Sequence, residues 1–292
     1  MNAHEHTSER HEHEHCRTHK HEHEQASGHT HSHGRAKPEA GSVLTIRAHS
    51  GLSGDMFLAG LLCMTEISAE ETESLLASVM PELAGSLRLV RRQVNHIAGW
   101  HAEVSLPRQH AHRTLADITG LIAQSGMSDP AKRLSTETFA LLARAEAAVH
   151  EKRPEEVHFH EVGALDSILD ICVSCELFVR LNPSRLVVSP LPVADGNVRC
   201  AHGVIPVPAP AVLELLEGVP VRPFPGQGET ITPTAMALLR ALHAEFGPWP
   251  AMRVERRALV YGTHVFPGAP NGTVFAWGAE ETDAGCAGGA CA

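Results

Sequence analysis

Between Val157 and Asp170 the chain reads VHFHEVGALDSILD, and no other stretch limits its possible folds as tightly. It sets His158, His160, Glu161, Asp166 and Asp170 around Gly163, which opens an apolar, helix-like run. Histidines at i and i+2 point the same way if the segment is extended. Asp166 and Asp170 are four apart and share one helix face. Two carboxylates interrupting GALDSILDICV are costly to bury without partners. A metal, a cationic group or backbone amides would supply them. The spacing alone fits two readings equally. In one the segment is a metal site. In the other Asp166 occupies a helix first turn, where negative charge is favoured, and Asp170 pairs with an arginine.

The remaining pattern supplies a scaffold. Residues 42–48 alternate as a strand, and an apolar helix follows at 56–64. Ser68 with Glu71 three residues on forms a capping-box pattern for a helix to about residue 80. Strands are expected at 87–94 and 101–106, with helices at 114–124, 129–150 and 163–181. Asn182-Pro183 ends the last of these. A short strand at 185–189 leads into a Pro-rich polar loop and a helix at 211–216. A strand is expected at 219–221. Thr232 as N-cap and Pro233 at the first helical position predict a helix over 233–246. Strands at 253–260 and 273–277 close the domain. Helices interleaved with short strands predict a layered α/β fold. The expected organisation is a disordered His-rich tail at 1–41, one domain at 42–278, and a Gly/Ala/Cys tail at 279–292.

Of 22 histidines, 11 fall between His4 and His33, among them His11, His13, His15, His19, His21 and His23. A tail this rich in His and Glu and this poor in apolar residues does not fold alone. Its imidazoles suit borderline divalent ions such as Ni²⁺, Zn²⁺ and Cu²⁺. A net charge of −10 argues against a general nucleic-acid binder. The most apolar run, 56–64, is too short to span a bilayer. No secretory h-region is visible, and seven cysteines in this length do not suggest a secreted disulfide framework. A soluble cytoplasmic protein is the expectation.

Other motifs carry weaker signals. Ser50-Gly51-Leu52-Ser53-Gly54-Asp55 joins a strand to a helix, and such small residues let backbone amides approach an anion. It lacks the Lys-Ser/Thr ending of a Walker loop, and on the residues alone an ordinary strand-to-helix turn capped by Asp55 is the better reading. Cys200 and His202, at i and i+2, would offer soft and borderline ligands together; a buried inert thiol beside a loop histidine is the commoner case. Cys172 and Cys175 have C-x-x-C spacing but lie within a helix and lack a second pair. His110 and His112 precede Arg113 at the start of a helix.

Taken in order, SGLSGDMFLAGLL, HRTLADI, VHFHEVGALDSILDI, SPLPV, VRCAHGVIPVPAPAVLELLEGVPV and ITPTAMALLRAL resemble the LarC-type nickel-insertion proteins over about residues 43–278. That resemblance implies insertion of Ni²⁺ into pyridinium-3,5-bisthiocarboxylic acid mononucleotide, consuming CTP with Mg²⁺ or Mn²⁺. Such a site must hold nickel exchangeably, bind a phosphorylated organic ligand and remove a proton from the pyridinium carbon. The resemblance does not itself assign roles. The residues are read as follows: His158, His160, Asp170, Cys200, His202 and the tail histidines for nickel; Asp166 and Glu161 for the proton; Ser53, Gly54 and Asp55 for the phosphorylated ligand. Departures stand at Arg47-Ala48-His49, where members commonly read Asp-Cys-Phe, at Cys63, and in the shortened run 260–267. Longer members continue into a C-terminal domain associated with CTP. A separate chain carrying that domain is therefore one expected partner, and a homo-oligomer is another. A nickel store built on the tail is the competing function.

Overall fold

The computed structural model describes residues 41–106, 113–159, 163–200 and 202–281, all inside one compact unit, 37–292. In chain order the elements begin with β1 (Ser42–Ala48), α1 (Gly54–Thr65), α2 (Ala69–Val79), β2 (Leu87–Val94) and β3 (Ile97–Val104). Next come β4 (Arg113–Thr114), α3 (Leu115–Gln124), α4 (Asp129–His150), β5 (His158–Phe159) and α5 (Leu165–Leu181). The middle of the chain holds β6 (Arg185–Val188), β7 (Leu191–Asp195), β8 (Asn197–Cys200), β9 (Gly203–Pro206) and α6 (Pro210–Leu215). The last elements are β10 (Val221–Gln227), α7 (Pro233–Ala241), β11 (Glu245–Phe246), β12 (Met252–Val260) and β13 (Thr273–Glu280).

Seven strands form one mixed sheet in the order β11-β6-β1-β13-β12-β3-β2. β1 runs parallel to β6 and antiparallel to β13, with Ile46 opposite both Val188 and Phe275. Every residue of β1 is buried, as a strand covered on both faces requires. α1 packs onto β3, β12 and β13 and carries α5 on its other side. Gly60 makes this close approach feasible: a Cβ there would lie 2.4 Å from the Phe275 ring. Phe57 meets the same ring edge to face at 6.1 Å. α4 packs against α5, α6 and α7 as a further layer. The layered α/β fold expected from the sequence is therefore the fold observed.

Some local expectations change. The helix opened by Thr232 and Pro233 stops at Ala241, because His243 adopts a left-handed conformation at φ 51°. Glu245–Phe246 then joins the sheet as β11, parallel to β6. The expected polar loop after β6 instead forms β7, which pairs with β10, and the β8–β9 hairpin. Gly203, opposite Cys200 at the hairpin tip, has φ 92°, which a residue without Cβ adopts readily. The helix after β5 begins at Leu165, two residues later than its apolar pattern suggests. Among the described residues no helix is long and apolar enough to cross a membrane.

Candidate functional site

The site begins where β1 ends. The Leu52 N–H donates to the Thr230 carbonyl at 2.8 Å, and the Thr232 N–H donates back to the Leu52 carbonyl at 3.2 Å. This short bridge ties the turn before α1 to the turn before α7 and sets the two helix starts side by side. Gly51 is essential to it. Its φ is 129°, and a Cβ would stand 1.8 Å from the Thr230 oxygen. α7 is capped by Thr232 Oγ1, which accepts from the Ala235 N–H at 3.3 Å. α1 has no side-chain cap; Ser53 Oγ turns instead to Asp55 Oδ1. α5 likewise lacks a side-chain cap, although Asp166 Oδ1 accepts from the Ser167 N–H at 2.8 Å. First-turn N–H groups that no side chain satisfies favour an anion.

Three adjoining cavities, of about 180, 380 and 730 Å³, open around these helix starts, and Thr232 lines all of them. The first is walled by Ser50, Ser53, Asp55, Glu229, Tyr261 and His264. The second joins Ser53, Gly54 and Asp55 to His101, Asp166 and Asp170. The third shares Asp166, Ser167, Thr232 and Thr234 with the second and extends to Glu146, His150, Cys200 and His202. The result is a continuous groove with an acidic middle.

Asp170 is the electrostatic centre. Burial pushes its carboxyl well above the usual carboxylate range, and the nearby Asp55 and Asp166 push it further. Asp170 Oδ1 and Asp55 Oδ2 are both buried without a hydrogen-bond partner. Buried polar atoms are seldom left this way. Asp55 Oδ2 faces His101 Nδ1 at 3.9 Å, and Nδ1 lies 2.9 Å from the Tyr261 carbonyl. A carbonyl only accepts, so Nδ1 carries the proton, and Nε2 is the basic nitrogen of the neutral ring.

The structure gathers some of the sequence-derived candidates and separates others. Ser53, Gly54, Asp55, Asp166 and Asp170 line one cavity. Cys200 and His202 lie along the same groove, with Sγ and Nδ1 3.9 Å apart. His158 stands elsewhere. It is exposed on β5, opposite Thr114, and contributes to holding the Asp117 carboxyl below its usual range, behind the hydrogen bonds from Thr114. Its neighbour Phe159 is the residue that turns inward and lines the groove. His160, Glu161, His110, His112 and the tail histidines lie outside the described residues. Among the described residues no three His, Cys, Asp or Glu side chains form a ready-made metal cluster. Cys172 and Cys175 are wholly buried on α5, and burial raises both thiols, Cys175 to about 12. Sequence reasoning missed His101, Glu146, His150, Glu229 and Thr234. A strand or helix period assigns a face to each, but does not say what lies opposite it.

A family model described as nickel insertion protein matches residues 44–285. The pyridinium-3,5-bisthiocarboxylic acid mononucleotide nickel insertion protein of a Nocardioides species is 39% identical over 226 residues, covering 77% of this chain and 57% of its own length. The protein of that name from Desulfitobacterium hafniense is 41% identical over 213 residues, covering 71% of this chain and 51% of its own. The chain thus spans a little over half the length of these curated relatives. No solved structure matches it.

Proposed function

The chain belongs to the nickel insertion protein family, and from that premise we propose that it places Ni²⁺ in pyridinium-3,5-bisthiocarboxylic acid mononucleotide. One observation carries the reading. Two buried carboxylate oxygens without partners, on Asp55 and Asp170, stand beside the starts of α1 and α7 in a single groove. Helix N-termini suit the phosphate of a nucleotide. Carboxylate oxygens that accept no hydrogen bond suit the cation and the proton that the reaction must move. The groove therefore offers opposite ends of one substrate what each needs.

In the proposed step the ring C–H bond breaks, its electron pair forms the bond to nickel, and the proton passes to a base. Burial and the neighbouring Asp55 and Asp166 raise the Asp170 carboxyl, so its ionised form is a stronger base than an ordinary carboxylate, and a cation bound beside it favours that ionised form. Asp166, on the wall shared by the second and third cavities, is the other candidate, and Glu161 lies outside the described residues. Ser53 and Gly54 at the start of α1 would seat the phosphorylated end, with Asp55 holding a cation between that phosphate and the reacting ring. CTP with Mg²⁺ or Mn²⁺ belongs to the proposal through the family resemblance. A separate chain carrying a C-terminal domain would supply its site.

The test is direct. Purified protein is incubated with the bisthiolated nucleotide, Ni²⁺ and CTP–Mg²⁺, with and without the C-terminal portion of a longer relative. Formation of the nickelated product is followed by mass. Product is expected, and it should survive removal of residues 1–41. No product under either condition, while a full-length relative turns over, overturns the proposal. A second reading, a nickel store, is supported by the 11 histidines between His4 and His33. It predicts nickel binding without turnover, lost when the tail is removed.

A further inference from the structure

The far end of the groove holds two donor pairs that face each other. On the last turn of α4, Glu146 Oε2 lies 3.5 Å from His150 Nε2. At the tip of the β8–β9 hairpin, Cys200 Sγ lies 3.9 Å from His202 Nδ1. The His150 and His202 rings join the pairs, with centroids 5.0 Å apart and planes tilted by 35°. All four side chains line the largest of the three cavities described above.

These spacings have a chemical meaning. Two N, O or S donors bound to one tetrahedral first-row ion stand about 3.5 Å apart. Two imidazoles on such an ion have centroids roughly 5 Å apart. Each pair is thus already near chelating distance, and the two histidines are at the separation one ion would impose. The four side chains do not yet share one centre, and an ion binding there must draw the two half-sites together. The donor set is one thiolate, two imidazoles and one carboxylate. It suits a borderline divalent ion and is poorly suited to Mg²⁺ or Ca²⁺, which prefer oxygen.

The geometry points to a divalent-metal site formed by Glu146, His150, Cys200 and His202, which holds the ion before it reaches the substrate. Its identification with nickel rests on the proposed function; the existence of the site does not. The same cavity continues to Asp166, Ser167, Thr232 and Thr234, which also line the acidic middle of the groove. An ion held at the hairpin end therefore has a walled path to Asp55 and Asp170. On binding, the Cys200 thiol releases its proton to solvent and the freed sulfur lone pair binds the ion.

Co²⁺ is the probe, because a thiolate bound to it gives a charge-transfer absorption that tail histidines cannot produce. The full chain is used with Cys16→Ser, Cys286→Ser and Cys291→Ser, and without nucleotide. One thiolate charge-transfer band that saturates as Co²⁺ is added, with an amplitude of one thiolate per chain, is expected. Cys200→Ser should abolish it, and His150→Ala and Glu146→Gln should each weaken the affinity read from it at least tenfold. Circular dichroism establishes that each variant is folded. No band in the parent overturns the site, as does a band that survives Cys200→Ser. Unchanged affinity in both folded α4 variants also overturns it. Since neither substrate nor CTP is present, the outcome is independent of whether the chain inserts nickel.

Discussion

Asp170 presses so closely on Gly54 that a Cβ on the glycine would stand 2.3 Å from its Oδ2. The same Cβ would lie 3.0 Å from Thr234 Cγ2, so α5 and α7 both meet α1 at its first residue. Replacing glycine by alanine in a helix ordinarily stabilises by about 1 kcal/mol. Here the methyl must displace a buried carboxylate and a methyl on two other helices. Gly54→Ala is expected to destabilise by about 1–3 kcal/mol, lowering the melting temperature, and to reduce nickel insertion at least tenfold. A variant that melts higher than the parent would show that the contact yields freely.

Asp170 also makes stability depend on pH. Its carboxyl is raised in the fold, first by burial and then by Asp55 and Asp166. The folded state therefore holds more protons than the unfolded state between about pH 3.9 and the folded value. Stability falls as pH rises through that window and levels off above it. Asp170→Asn removes the effect. The variant is expected to melt at least about 2 °C higher than the parent at pH 8. The two should converge as pH falls to about 3, below the unfolded value, where the parent carboxyl is mostly protonated in both states. The variant should insert no nickel despite its added stability. Equal melting temperatures at both pH values would contradict the buried, destabilised charge.

Much of the scaffold was legible because local chemistry specifies it. Ser68 and Glu71 form the capping box that their spacing predicts, and Thr232 caps the helix opened by Pro233. Asp166 and Asp170 reach one cavity together, as an i, i+4 pair on a helix does. What the sequence withheld was opposition between distant elements. His158 and Phe159 alternate as a strand requires, yet alternation does not say that Phe159 faces the groove and His158 faces Asp117. Glu146 and His150 look like the solvated last turn of an amphipathic helix until the β8–β9 hairpin is laid against them. His101 and Asp55 are brought together only because α1 packs on β3.

Cys172 and Cys175 should be chemically silent. They lie at i and i+3 on α5, both fully buried, where burial disfavours the thiolate. Cys63 is also raised, to about 12. A thiol reagent applied to native protein and read by peptide mass is expected to modify Cys200 at least about 10³-fold faster than Cys172 or Cys175. The two buried thiols should react only once the chain is unfolded. Rapid native modification of either would mean that α5 opens readily and would undermine the rigid placement of Asp170 one turn earlier.

His101 separates positioning from chemistry in a way that two substitutions can read. Its Nδ1–H donates to the Tyr261 carbonyl at 2.9 Å. Tyr261 is held in turn by its N–H on the Trp100 carbonyl at 2.8 Å and its hydroxyl on the Ile97 carbonyl at 3.1 Å. The ring is therefore oriented beside Asp55 with Nε2 as its basic nitrogen. Asparagine keeps a donor near the Nδ1 position but has nothing at Nε2, whereas alanine loses both. His101→Ala is expected to cost about 1 kcal/mol from the lost hydrogen bond, and His101→Asn considerably less. If Nε2 takes part in moving the ring proton, both variants should lose insertion by about 10²–10⁴-fold, and asparagine should restore stability without restoring activity. If His101 serves only to orient Asp55 and Tyr261, asparagine should restore both. Melting curves and single-turnover insertion rates of the two variants, measured side by side, decide between these outcomes.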